Sequence, residues 1–156
     1  MEAVSTINAK KEPRRFGLVD GIVLLSVVLY LLSLAFQLTP GIWGWEVLIA
    51  GWFALATPPT GFFWFANIMI FVTWGILISR NRPSAALQIS ILGLAIAVSF
   101  RFMVNAPIPY GYIPTPALGL GYYFWTASFL STLIAAALST INSQQNAPHS
   151  PVIVNK

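Results

Sequence analysis

From Leu18 to Leu38 the chain reads LVDGIVLLSVVLYLLSLAFQL, and no other feature restricts its fold as strongly as this almost unbroken apolar run. At 1.5 Å per residue its 21 residues reach about 31 Å as a helix, the thickness of a bilayer's hydrocarbon core. A cleavable signal peptide would need an apolar region of only about 7–15 residues, so a retained first span is expected. Further runs follow at about 62–79, 84–101 and 122–141. Charged residues make up 8% of the chain and hydrophobic residues 57%. Soluble domains carry about 25% charge, so this chain cannot cover itself with a water-soluble surface. The expectation is an all-α membrane protein with a single transmembrane domain over residues 18–141. Residues 1–17 and 142–156 would be cytoplasmic tails.

The net charge of +4 invites a nucleic-acid reading, but the placement of the basic residues argues against it. Lys10, Lys11, Arg14 and Arg15 precede the first span, and Arg80 and Arg82 flank a tight turn between two later ones. With four spans and both termini inside, Lys156 joins these six on the inner side and only Arg101 lies outside. That is the positive-inside pattern of a multi-pass protein of the cell (inner) membrane. No nucleic-acid partner is expected. Cysteine is absent, which removes disulfides and thiolate chemistry.

After the first span, and running into the second, comes GIWGWEVLIAGWFALATPPTGFFWFANIMIF, residues 41–71, with four of the six tryptophans. Tryptophan favours the membrane–water interface, because its ring is apolar and its N–H wants a polar partner. The segment 43–57 has 15 residues, too few for a usual span. Trp45, Leu48, Trp52, Leu55 and Ala56 share one helical side, and Glu46, Ala50 and Ala54 the other. This predicts a short half-buried or re-entrant outer helix, its small face with Glu46 packed inward, ended by Pro58-Pro59 and Gly61.

Polar and small residues recur at helical spacing along the spans. Ser26, Tyr30, Ser33 and Gln37 form one stripe; Ala86, Ser90, Gly93, Ala97 and Arg101 a second; Ser128, Ser131, Thr132, Ala135 and Ser139 a third. Such faces pack helix on helix in lipid. Leu87, Ile91, Leu94 and Val98 suit lipid contact. Asp20 is expected among headgroups near Arg14 and Arg15. Residues 102–118 hold Pro107, Pro109, Pro114 and Pro116 and predict an extended loop.

Candidate polar or binding residues are few. Glu46 and Arg101 would be the only acid and the only base on the outer side, and a pair between them is expected where charges in a membrane find partners. Asn67 sits inside the second span, where an amide serves as helix glue or as a ligand contact. Trp45, Trp52 and Trp64, with Trp43, Tyr110, Tyr112, Tyr122, Tyr123 and Trp125, suit membrane anchoring or an aromatic-walled groove. Enzymatic sets are missing: the single His149 lies in the C-terminal tail, and no HExxH or Ser/His/Asp arrangement falls within the spans. The GLG of residues 119–121 is too little for a nucleotide fingerprint and reads as a turning point. No catalytic residue, metal or cofactor is expected.

Gly44-Trp45 with Gly51-Trp52, the run Phe63-Trp64-Phe65-Ala66-Asn67, Trp74 ahead of Arg80, and the run from Gly121 to Ser128 (GYYFWTAS) resemble a group of small bacterial four-helix membrane proteins. Members carry proline after the asparagine, where Ile68 stands here. The resemblance implies the multi-span fold and brings no activity or catalytic residue. The expected role is a non-enzymatic accessory or structural subunit in the lipid bilayer, binding lipid or another membrane protein, or itself. The alternative is a small-molecule or ion carrier acting as an oligomer.

Overall fold

The computed structural model describes residues 17–54, 60–103 and 118–145. Helix α1 spans Leu18–Ala35 and leads into a two-stranded antiparallel hairpin, β1 Gln37–Thr39 and β2 Ile42–Trp43. The remaining helices are α2 Gly44–Ala54, α3 Thr60–Ser79, α4 Pro83–Met103 and α5 Leu120–Gln145. Helices α1, α3, α4 and α5 contain windows of mean hydropathy 2.4, 1.9, 1.8 and 1.5, long and apolar enough to cross a membrane. Only 22–33% of the residues in those windows are buried within the protein. Leu24, Leu25, Leu31, Ile78, Ile91, Leu92 and Leu130 point outward, a surface suited to lipid and not to water. The protein is an all-α membrane protein with four candidate spans.

The interior is mainly apolar but also buries a set of small hydroxyl side chains. Ser26, Ser33, Thr73, Ser90, Ser128 and Thr132 are buried along the helix contacts, where small side chains let backbones approach and hydroxyls bond to carbonyls one turn back. Ser128 bonds to the Trp125 carbonyl at 2.6 Å and Thr132 to the Ser128 carbonyl at 2.9 Å. The three small-residue stripes therefore face inward over most of their length, but Gln37 has left the helix, Arg101 is exposed, and Ser131 and Ser139 are only half-buried. Ile91 and Val98 are exposed, whereas Leu87 and Leu94 pack on the core.

Helix α5 packs along α1 and α4, and α4 along α3, giving the order α1–α5–α4–α3 around the bundle. Backbones of α1 and α3 barely meet. Long side chains bridge them instead, at three levels: Tyr30 to Asn67, Trp74 to Ser26, and Arg80 to Asp20. The last pair places the start of α1 beside the end of α3. Leu138, Ser139, Asn142 and Ser143 of α5 border the same groove as Gly17 and Arg80, so the bundle alternates in direction. The chain leaves α1 and enters α3 at one end, and α2, about 16 Å long, does not cross.

Two expected boundaries move. Helix α1 ends at Ala35 rather than Leu38: Pro40 has no N–H for the Phe36 carbonyl and its ring would clash with it, and that carbonyl instead accepts the Gly44 N–H across the hairpin. Pro40-Gly41 then makes the hairpin turn, with Gly41 at φ 84°, as the third residue of a type II turn requires. At the other end of the chain, α5 continues through Gln145 instead of stopping near Ile141. Residues 55–59, 104–117 and 146–156, which include Pro58-Pro59, the expected proline-rich loop and His149, lie outside the described residues.

Ala135 is fully buried against Val23, Leu77, Ala86 and Ala136. Ala135→Leu should lower thermal stability in mild detergent, since overpacking a filled site costs about 1–3 kcal/mol. Leu133→Ala, at a half-buried position on the neighbouring face, should cost clearly less. Equal losses in a thermal melt would remove the argument that α5 packs through this stripe.

Candidate functional site

At the hairpin end, the gap between α1 and α3 opens into a cavity of about 240 Å³. Its roof is α2. The seven-residue spacing of Gly44 and Gly51 turns both toward the bundle, with Val47 and Leu48 between them on the cavity wall. A side chain at Gly51 would overlap the Trp64 indole. Trp64 in turn donates its Nε1–H to the Leu48 carbonyl at 3.1 Å. Trp52 packs on Trp64 from outside, with ring centroids 4.2 Å apart, and is itself 63% exposed. Glu46 is half-buried and Ala50, although exposed, borders the cavity; the closest contacts of α2 with the bundle are nonetheless made by its glycine face and not by the Glu46/Ala50/Ala54 face expected. The backbone lies close enough that alanine is already too large at Gly51.

The hairpin forms the side wall through Leu38, Thr39 and Ile42. It is tied to the bundle by backbone bonds from Gly44 N to the Phe36 carbonyl, 3.1 Å, and from Gly119 N to the Leu38 carbonyl, 2.8 Å. The GLG segment thus docks onto β1. Phe63, Phe100 and Trp125 complete the apolar wall.

Tyr30, Asn67 and Trp125 also line the cavity, and they form its polar centre. The Tyr30 hydroxyl donates to Asn67 Oδ1 at 3.1 Å, and Trp125 Nε1–H donates to the same oxygen at 3.0 Å. Asn67 is only 5% exposed. A second indole-centred knot lies deeper in the bundle, where Trp74 Nε1 is within 3.1 Å of Ser26 Oγ and 3.0 Å of Thr132 Oγ1. The sequence marks Asn67 but not its two donors. Tyr30 lies on the Ser26–Ser33 stripe, which was the available signal. Trp125 was grouped with the anchoring aromatics, yet it, Trp64 and Tyr122 are buried. Trp43, Trp45 and Tyr123 are exposed as anchors would be; Tyr110 and Tyr112 lie outside the described residues.

The charged candidates sit elsewhere. Glu46 is the third residue of α2, half-buried, and its Oε2 accepts the Trp43 N–H at 2.8 Å. Asp20 does the same for α1, accepting the Gly17 N–H at 3.0 Å while pairing with Arg80 at 2.8 Å. This is the reach-back half of a capping box, reinforced by the helix dipole. Arg14 and Arg15, the expected neighbours of Asp20, lie outside the described residues. Arg101 is exposed in the last turn of α4. Neither Glu46 nor Arg101 lines the cavity, and neither does Trp45 or Trp52. Among the described residues no group of three His, Cys, Asp or Glu gathers to hold a metal.

No protein-family model, curated protein or solved structure matches the chain.

The capping geometry of Glu46 separates an acceptor role from a charge role. Glu46→Ala should destabilise by about 0.5–1 kcal/mol. Glu46→Gln keeps an oxygen for the Trp43 amide and should lose less than half as much in the same thermal melt. Equal losses would show that α2 uses the charge itself, as a pair with Arg101 demands.

Proposed function

We propose that this protein is a non-enzymatic membrane subunit that binds a lipid-like molecule in the cavity under α2. The cavity itself carries the reading. Its walls are aliphatic and aromatic, its few polar groups are clustered, and it lies at the end of the bundle where α2 exposes Trp45, Ile49, Trp52 and Phe53. That combination suits an amphiphile entering from the membrane boundary. Its volume is about one and a half times that of the engineered 150 Å³ cavity that takes benzene. This is room for a ring or the end of one acyl chain, not for a whole diacyl lipid. Among the described residues, no acid, lysine, arginine or histidine lines it, which favours binding over acid–base chemistry.

Native mass spectrometry of the protein in mild detergent should find one lipid-like adduct per chain. Val47→Trp, which adds bulk to the cavity wall, should remove that adduct while leaving the thermal midpoint within a few degrees. An adduct of equal occupancy in both proteins would place the bound molecule elsewhere and defeat the reading.

Both termini are proposed to be cytoplasmic, with the cavity at the outer face of the cell membrane. Arg80 and Arg82 at the opposite end support this through the positive-inside rule. Reporter fusions at Asn81 and Gln145 should both give the cytoplasmic signal; an external signal at both would invert the protein, and opposite signals would break the four-span arrangement.

A further inference from the structure

Resting on that reading, we infer that the occupant carries a neutral carbonyl-type oxygen, held by the amide hydrogens of Asn67. The orientation of the Asn67 amide follows from its partners. An indole N–H can only donate, so the atom facing Trp125 Nε1 at 3.0 Å must be the amide oxygen. The Tyr30 hydroxyl donates to that oxygen as well, at 3.1 Å. Both lone pairs of Oδ1 are thereby engaged, and Nδ2 with its two N–H donors points away from Tyr30 and Trp125. Nδ2 has no hydrogen-bond partner among the described residues, although Asn67 is 5% exposed. No fully buried side-chain nitrogen or oxygen there lacks a partner. Nδ2 is therefore not sealed in the core, and the space open to it is the cavity that Asn67 lines.

Thr39 repeats the pattern on the hairpin side. It is 7% exposed, lines the same cavity, and its hydroxyl has no partner among the described residues. Two polar groups thus face an otherwise apolar space. An amide N–H requires an acceptor, which excludes an ammonium group as the feature recognised. A carboxylate or phosphate would enter without a cation on the cavity wall, at a large desolvation cost. A neutral ester or ketone oxygen on an apolar body satisfies Nδ2 and fills the remainder. Two sources share that chemistry: the ester end of an acyl chain and a ring ketone.

The test uses the full chain in mild-detergent micelles with matched probe pairs. Methyl heptanoate is set against nonane, and acetophenone against isopropylbenzene. At least one carbonyl probe should bind roughly five- to tenfold more tightly than its hydrocarbon partner, the worth of one net hydrogen bond. Which pair shows the preference identifies the chain or the ring as the source. The bound carbonyl should also show its infrared stretch shifted to lower frequency, a readout on the unaltered protein. Asn67→Thr leaves an oxygen to accept from Tyr30 or Trp125, sends its own O–H to the carbonyl one turn back and removes the amide N–H donors, and should abolish both the preference and the infrared shift. Thr39→Val should retain most of both. Should Asn67→Thr fail to fold, the wild-type shift and the probe preference decide the matter. Equal affinity for carbonyl probe and hydrocarbon in both pairs, with no infrared shift, overturns the inference and leaves the cavity as a purely apolar site. Binding of neither class overturns the cavity reading as well.

Discussion

One oxygen atom, Asn67 Oδ1, holds three helices together at the level of the cavity. It receives the Tyr30 hydroxyl from α1 and the Trp125 indole from α5 while belonging to α3. In water such bonds would compete with solvent and contribute little. In a bilayer each donor left alone would have no alternative partner, so satisfaction within the protein becomes a condition of the fold. The requirement is sharper here because α1 and α3 share almost no backbone contact. Tyr30 and Trp74 reach across where two small residues could not, and Arg80 does so at the end of the bundle, where Asp20 is 9% exposed and Arg80 56%.

The same separation leaves the cavity. Helices held apart by aromatic side chains cannot close on each other at the hairpin end, so some other element must cover the gap. The α2 helix does so, and its glycines set how close it comes. With Gly51 against Trp64, the α2 backbone lies near enough for the Leu48 carbonyl to accept the Trp64 N–H. A larger residue would lift α2 away and cost both the hydrogen bond and the closed roof. The Trp-rich segment that looks like a membrane anchor in the sequence is therefore divided in purpose. Trp64 belongs to the cavity, Trp52 covers it, and Trp45 faces outward.

The spans and their small-residue faces were legible because hydropathy and 3.6-residue periodicity are local properties. Ala86, Ser90, Gly93 and Ala97 point inward as their spacing demands, and Ser128, Thr132 and Ala135 do likewise. The site was legible only in part. Asn67 stands out as an amide in an apolar run, but nothing local says that residues 37 and 58 positions away will supply its donors. Glu46 misled for a related reason: a lone acid near a membrane suggests a charge partner, while its first described partner is a backbone amide three residues back. The buried face of α2 was misread because the small side carrying Glu46 was set inward, whereas the closest contacts fall to Gly44 and Gly51, about a third of a turn or more away. In lipid the close contacts fall to glycine and serine, and bulk turns outward.

These roles can be set against one another to find the chemistry that the fold leaves over. Ser26, Thr132 and Trp74 bond among themselves, and Ser33, Ser90 and Ser128 bond to carbonyls of their own helices. Asp20 and Glu46 each reach back to the amide that opens their helix. Those groups would be present in any stable bundle of this kind and say nothing about a ligand. Asn67 differs, because a serine or threonine hydroxyl could have accepted one bond at that place, whereas an amide brings two extra N–H donors into a bilayer that penalises them. An amide that satisfies two neighbours with its oxygen and turns its nitrogen to a cavity is more than helix glue requires. The excess donor capacity, and not the oxygen that holds the helices, is the part of the structure that points to a bound molecule.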